Sequence, residues 1–309
     1  MKAFDYRAPE TLDGAAALLA QHRERARVLA GGTDLLVQLR AGRYEVDVVV
    51  DVKRVPEMNV ISFDSEVGLS IGAAVPCWRI AEHPDVRDRY PGLVDAVSII
   101  GGTGIQGRAT VGGNLGNASP SADSTPSLIV HEATLEIAGQ LGRRTLPVDG
   151  FCLAPGRSAL RPGELIVSVR VPVPRRGYGA RYLRFIPRNE MDIAVVGVGA
   201  AVVLSDDGRT IEWARIALGA VGPTPIVAEE AAWALVGQPP TPEAFARAAD
   251  AAKSAARPIT DVRGTAAQRR HLVGVMTRRA LEGSVARARG EFLVHPVVGA
   301  ASTNGHGRQ

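Results

Sequence analysis

Ala30-Gly31-Gly32-Thr33-Asp34 and Thr110-Val111-Gly112-Gly113-Asn114 are the stretches on which the reading of this chain turns. Each follows a strand or an apolar stretch and pairs two glycines with polar side chains. Backbone N–H groups in such loops, and at the start of a helix like the one predicted to open near Thr33, form concavities suited to phosphate oxygens. Either motif alone reads as a tight turn. Together they suit a ligand with two linked phosphates, gripped from two sides.

Between them, Gly102-Thr103-Gly104-Ile105-Gln106-Gly107 matches G-x-G-x-x-G, with Asp123 at about the spacing of a Rossmann ribose ligand. That fingerprint must open a helix, and from Gly101 to Gly116 seven of sixteen residues are glycine. The segment is predicted to be a loop whose backbone approaches something closely, and the Rossmann reading fails on context.

Working outward, Leu12, Ala15, Ala16 and Leu19 recur at helical spacing over Thr11 to Glu24, behind a Thr that can cap. A strand is predicted over Arg27 to Ala30, a helix over Thr33 to Arg40 and a strand over Val46 to Val52, which makes a βαβ-like unit of the first 55 residues or so. Residues 58 to 74 read as a hairpin breaking at Gly68, and 84 to 97 as helical. Ala133 to Ala138 and Arg143 to Val148 form a second hairpin, and Glu164 to Val171 a further strand. The Pro-rich segment at 171 to 177 is the expected domain boundary. Beyond it come three antiparallel strands, Ala180 to Ile186, Ile193 to Leu204 and Thr210 to Leu218, with a turn at Ser205-Asp206-Asp207-Gly208. Helices are expected at about 226 to 236, 242 to 254 and 264 to 282, and a loose tail beyond 289.

Composition excludes several classes. The 309 residues are 46% hydrophobic and 22% charged, with a net charge of +4. Basic residues are scattered, nearly all Arg, without aromatic interleaving, which argues against nucleic acid. The longest apolar run, Ile193 to Leu204, is 12 residues, short of the roughly 20 that a membrane helix needs. The N-terminus lacks an apolar signal core, so a cytoplasmic location is expected. Two cysteines, Cys77 and Cys152, can hold neither an iron-sulfur cluster nor a Cys-rich zinc site. The six histidines show no metal spacing and read as surface or capping residues. No G-x-S-x-G elbow occurs. The remaining chemistry is that of a cofactor.

Ala30 to Leu36, then Arg108-Ala109-Thr110-Val111-Gly112-Gly113-Asn114 running to Ala118-Ser119-Pro120 and Asp123, resemble the FAD-binding medium subunit of the xanthine dehydrogenase / carbon monoxide dehydrogenase (molybdenum hydroxylase) family. Arg188-Asn189-Glu190-Met191-Asp192-Ile193-Ala194-Val195-Val196 and Asp261-Val262-Arg263-Gly264 leading to Arg269-Arg270-His271-Leu272-Val273 agree. The resemblance spans about residues 1 to 288.

It implies an α+β fold: a PCMH-type (vanillyl-alcohol-oxidase-like) FAD-binding domain over 1–175, with subdomains of about 1–55 and 56–175. A C-terminal domain follows over 176–288, with a three-stranded antiparallel sheet and a helical bundle; 289–309 is the tail. The backbone around Ala30, Gly31, Gly32, Thr33, Asp34 and Leu35 would hold the pyrophosphate of FAD, with Thr110, Gly113 and Asn114 closing over it. Asp123 would accept from the sugar hydroxyls, unless it is merely a helix cap. Ile166 would pack near the adenine or flavin, and Arg184 would lie near the isoalloxazine, where relatives often have Lys. The implied partners are a molybdopterin-binding large subunit that oxidises the substrate and a small subunit with two [2Fe-2S] clusters, in a dimer of heterotrimers. The substrate and the acceptor, whether oxygen, NAD or a quinone, stay open. A self-contained PCMH-fold flavin reductase or oxidase, and a non-catalytic nucleotide-binding protein, are the competing readings.

Overall fold

The computed structural model describes residues 2–188 and 191–293. From 294 onward the expected tail lies outside the described residues, as do Asn189 and Glu190 of the third motif.

The first unit is a parallel sheet ordered β1-β3-β2, made of β1 (Asp5–Arg7), β2 (Ala26–Leu29) and β3 (Val48–Asp51). All four residues of the central β3 are buried, as a strand covered on both faces requires. Helix α1 (Leu12–His22) buries Leu12, Ala15, Ala16 and Leu19, and Thr11 caps it by accepting from Gly14 N–H at 3.1 Å. Helix α2 (Leu35–Arg40) starts two residues later than predicted, and Asp34 makes no side-chain cap bond.

Strands β4 (Ile61–Asp64) and β5 (Gly68–Gly72) form the hairpin expected there. A short helix α3 (Cys77–Glu82) comes first, and the helical stretch predicted over 84 to 97 is two short helices, α4 (Pro84–Arg89) and α5 (Pro91–Val97). Pro91 lacks an N–H and pushes Tyr90 out of the helical region, to φ −128° and ψ 50°.

The glycine-rich segment corrects the sequence reading. It is not a loop throughout but carries α6 (Thr103–Gln106) and α7 (Val111–Asn117). Thr110 is extended and its Oγ1 accepts from Gly113 N–H at 2.9 Å, while Val111 and Leu115, one turn apart, are both buried. A cap and one apolar stripe outweigh the low helix propensity of the glycines. A Cβ on Gly112 would lie 2.5 Å from Ala73 O, so close seating of α7 is what that glycine provides. The helix α5, not a strand, precedes Gly102, so the dinucleotide fingerprint still lacks its context.

Helix α8 (Ser124–Val130) leads to β6 (Thr134–Gly139), β7 (Gly142–Pro147), a small ribbon of β8 (Cys152–Ala154) and β9 (Arg157–Ser158), and β10 (Leu165–Val171). The antiparallel sheet runs β4-β5-β10-β6-β7. His131, expected at the surface or as a cap, is buried between the Tyr90 and Tyr178 rings, with Nδ1 2.7 Å from Ser127 O. The space exists because Gly92 has no side chain: a Cβ there would meet His131 Cε1 at 2.8 Å. Burial holds the imidazole down at about 4, hence neutral.

The three long strands β11 (Tyr178–Phe185), β12 (Val196–Leu204) and β13 (Ile211–Gly219) pair antiparallel in the expected order. A two-residue strand, β14 (Ile226–Val227), adds to the edge through Leu218 and Ala217, so the helix expected from 226 begins only at Glu229. The turn at Ser205 to Gly208 has Gly208 at φ +68° and the Ser205 hydroxyl on Asp207 Oδ1. Helices α9 (Glu229–Trp233), α10 (Pro242–Ala255) and α11 (Ala266–Ala288) complete this part. Every residue of β12 is buried, because helices pack on both faces of the sheet. A Cβ on Gly199 would come 2.6 Å from Pro126 O of α8, and one on Gly179 2.1 Å from Ser284 O of α11. One core fills the first two units and takes in Ala180, Ala201 and Ala217; the second lies between the C-terminal sheet and α9 to α11.

Candidate functional site

The two glycine loops meet. A Cβ on Gly31 would lie 2.1 Å from Arg108 O, so the first loop rests directly on the backbone of the second. Gln38 Nε2 donates to Asn117 Oδ1 at 2.9 Å and Asn117 Nδ2 to Asp34 Oδ2 at 3.1 Å, tying α2 to α7. Ala30, Gly31, Gly32, Thr33, Asp34 and Leu35 are thus brought beside Thr110, Gly113 and Asn114. Gly32 sits at φ +80°, a left-handed conformation that favours glycine. Among the described residues, the backbone N–H groups of Gly31, Gly32 and Thr33 donate to no protein acceptor. The Gly113 N–H is taken by its cap, and what that residue offers is bare backbone: a Cβ there would meet only Thr110 Oγ1, at 3.0 Å.

The second loop continues toward the C-terminal sheet. Ser124 Oγ donates to Asn114 Oδ1 at 2.5 Å, and Asp123, just before it, is buried. Asp123 stands at the N-cap position of α8 without a side-chain cap bond, so the capping alternative finds no support. Its oxygens instead accept from the Tyr182 hydroxyl at 2.8 Å and from Arg184 Nη1 at 2.7 Å. Burial pushes the Asp123 carboxyl up to about 6, against the opposing pull of Arg184 and Tyr182. The Arg184 side chain is 4% exposed, yet its Nε and Nη2 have no partner among the described residues. Buried guanidinium N–H groups are costly to leave unpaired. They are the mark of a place completed by an electron-rich ligand.

Tyr182 is the residue that sequence reasoning missed. Alternation along β11 puts it on the same face as Arg184, and a Cβ on Gly197, the residue of β12 opposite Arg184, would come 2.5 Å from its hydroxyl. The signal was therefore a glycine in a long apolar strand opposite an Arg-Tyr-Leu-Arg run. Ile166 is placed differently from the loop residues: it is buried on β10, at an irregularity in its pairing with β6, and its side chain belongs to the core.

The two later motifs adjoin. Asp192 accepts from Arg188 Nε at 3.1 Å, and Arg263 Nε lies 3.9 Å away. Buried Arg269 donates to Val195 O, Ala220 O and Asp261 Oδ1, stitching α11 to the sheet and to the Asp261–Gly264 turn. A Cβ on Gly102 would meet Met191 Cγ at 3.5 Å, so this surface is continuous with the glycine-rich segment.

Three open N–H groups on a loop that turns at the left-handed Gly32, and a buried Arg with two donors unpartnered among the described residues, fit a phosphorylated ligand with further acceptor atoms, as FAD has. Residues 2–174 match the FAD binding domain in molybdopterin dehydrogenase, and residues 181–284 the CO dehydrogenase flavoprotein C-terminal domain. The carbon monoxide dehydrogenase medium chain of Hydrogenophaga pseudoflava is 34% identical over 284 residues, 92% of this chain and 98% of that one. The xanthine dehydrogenase FAD-binding subunit of Escherichia coli O157:H7 is 31% identical over 288 residues, 93% of this chain and 98% of that one. A solved carbon monoxide dehydrogenase of Hydrogenophaga pseudoflava matches with a TM-score of 0.88 at 34% identity, covering 93% of this chain and 98% of that chain. Quinoline 2-oxidoreductase from Pseudomonas putida 86 gives 0.86 at 30%, covering 93% and 99%. These relatives are oxidoreductases, the first two named as one chain or subunit of a dehydrogenase. With FAD as its cofactor, this chain belongs to the family of FAD-binding medium subunits of carbon monoxide and xanthine dehydrogenases.

Proposed function

We propose that this chain is the electron-transfer subunit of a heterotrimeric molybdenum hydroxylase. It takes electrons from a subunit with two [2Fe-2S] clusters and passes them to an external acceptor, while a molybdopterin-binding large subunit oxidises the substrate. The observation that carries the reading is the pair of Arg184 donors unpartnered among the described residues, buried against Asp123 just beyond the second glycine loop. When bound, FAD supplies both one- and two-electron chemistry, which joins iron-sulfur clusters to a two-electron acceptor. The chain's own residues bind and orient it. The N–H groups of Gly31, Gly32 and Thr33 take the diphosphate, supported by Ala30, Asp34 and Leu35. Thr110, Gly113 and Asn114 close the second side, and Ile166 backs the cofactor from the core. Asp123, itself held by the Tyr182 hydroxyl, holds Arg184, whose remaining N–H groups would be available to acceptor atoms of the flavin. Asp123 keeps lone pairs for a sugar hydroxyl.

Among the described residues no three His, Cys, Asp or Glu side chains gather as a metal site, and no helix is long and apolar enough to cross a membrane. The partner is taken to dock beside the segment 101–117 and the Arg184 to Asp192 region, close to the flavin. A cytoplasmic dimer of heterotrimers completes the reading.

Native co-purification tests it: two further chains, bearing molybdenum and [2Fe-2S] clusters, are expected to accompany this one. The isolated chain is expected to show flavin bands at roughly 375 and 450 nm, and purines, aldehydes and N-heterocycles should leave them unbleached under anaerobic conditions. Bleaching at a turnover-competent rate without partners would overturn the proposal in favour of a free-standing flavoenzyme.

A further inference from the structure

The first glycine loop is held from behind. Lys53 Nζ donates to Ala30 O at 3.2 Å, Arg108 Nε to Gly31 O at 3.4 Å, and Leu36 N–H to Gly32 O at 3.1 Å. Three consecutive carbonyls are therefore engaged by donors from the protein. No peptide bond among the described residues is cis, and in a planar trans peptide the N–H points opposite to the C=O. Fixing the carbonyls of Ala30, Gly31 and Gly32 fixes the N–H groups of Gly31, Gly32 and Thr33 toward the other side. Those are the three that donate to no protein acceptor among the described residues.

We propose that Lys53 and Arg108 are positioning residues for the cofactor's diphosphate, acting through the Ala30 and Gly31 carbonyls rather than touching the phosphates. This rests on the assignment of the loop to FAD made above. Lys53 is itself steered. Its Nζ lies 2.7 Å from Asp51 Oδ2, its own N–H donates to Asp51 Oδ1 at 2.9 Å, and the Tyr6 hydroxyl donates to the same carboxylate. Asp51 is the last residue of the central strand β3 and is buried. Burial pushes its carboxyl up, but the hydrogen bonds from Lys53 and Tyr6 outweigh this and hold it below its ordinary value. The ammonium thus has one anchored side, and its remaining reach goes to Ala30 O. A cation behind a carbonyl also polarises that peptide unit and makes its N–H a stronger donor.

The test uses the full chain and FAD as the probe, with Lys53→Met and Lys53→Arg. Lys53→Met is expected to raise the FAD dissociation constant about tenfold, the loss of one charge-assisted hydrogen bond, and to shift at least one ³¹P resonance of the bound diphosphate. Lys53→Arg, which can still reach Ala30 O, should stay within about threefold of the unaltered chain. The Lys53→Met deficit should persist at about 0.5 M salt, where simple attraction between ammonium and phosphate is screened within a few ångströms. If Lys53→Met binds FAD as the unaltered chain does, loses its deficit in salt, or binds weakly with both ³¹P resonances unmoved, the positioning role is wrong. An unaltered chain that binds no FAD would overturn the cofactor assignment instead, and so separates the two failures.

Discussion

Asp95 and Arg287 stand 192 positions apart in the chain and meet as a buried bidentate pair, with Nη1 to Oδ2 at 2.6 Å and Nη2 to Oδ1 at 2.9 Å. Arg287 Nη1 also donates to Ala180 O, and Tyr182 N–H to Asp95 Oδ2. One contact therefore joins α5, β11 and the end of α11, and the Tyr182 that it holds stands two residues before Arg184 on the same strand. Removing Arg287 would leave the fully buried Asp95 with the more distant Arg181, whose Nη1 lies 3.5 Å from Oδ1, and with the Tyr182 N–H. Arg287→Met is expected to lower unfolding free energy by about 3–5 kcal/mol in urea titration, and Asp95→Asn added to it should restore part of the loss. A decrease below about 1 kcal/mol would mean that Arg181 takes over the compensation of the carboxylate.

Asp123 gives the apo chain a pH signature. Its carboxyl titrates at about 6 in the folded chain, from an ordinary value of 3.8. Between those values the folded state binds a proton that the unfolded state releases, so the contribution of this group to stability falls as pH rises through that window. Asp123→Asn should flatten that part of the profile. Urea midpoints of both proteins between about pH 4 and pH 7 check it; parallel curves would contradict the raised titration.

Glycines in the two loops separate folding from binding. Gly31→Ala puts a Cβ 2.1 Å from Arg108 O and should lower both thermal stability and FAD occupancy. Gly113→Ala meets only a hydroxyl at 3.0 Å, and alanine in a helix is favoured over glycine by up to about 1 kcal/mol. Its apo stability should hold or rise while FAD occupancy falls. Full occupancy in Gly113→Ala would remove this residue from the cofactor cradle.

Thr110→Ala deletes the cap that lets a glycine-rich segment be helical. A loss of about 0.5–2 kcal/mol is expected, with Thr110→Ser close to the unaltered chain. Calorimetry on the apo protein decides, because no ligand contact enters.

What was legible in the sequence is what depends on near neighbours. The face of α1, the hairpins and the long strands follow from spacing and turn residues, and Ala30 to Asp34 and Thr110 to Asn114 stand out by their glycines. What escaped depends on distant partners. Helix α7 exists because Ala73 and the core accept Val111, Leu115 and the bare Gly112. Strand β1 is three exposed residues with no alternation to detect, recruited by β3. His131 is buried because Gly92, 39 positions earlier, leaves room for its ring. The role of Tyr182 needed Asp123 opposite it, a contact across 59 positions.

The docking of α11 on β11 bears on when the protein can take up its cofactor. The glycine loops, Asp123 and Arg184 are all synthesised before Phe185, yet the strand carrying Tyr182 and Arg184 lies against a helix that ends at Ala288. At translation rates of roughly 5–20 residues per second, the intervening stretch takes on the order of 5–20 s to make. During that interval Asp95 has no Arg287, and the outer face of β11 has no cover. Nascent chains stalled before α11 would hold both glycine loops and still present an unfinished pocket. On the site proposed above, flavin uptake is expected after synthesis, as a late step in maturation, and truncation within α11 is expected to abolish it.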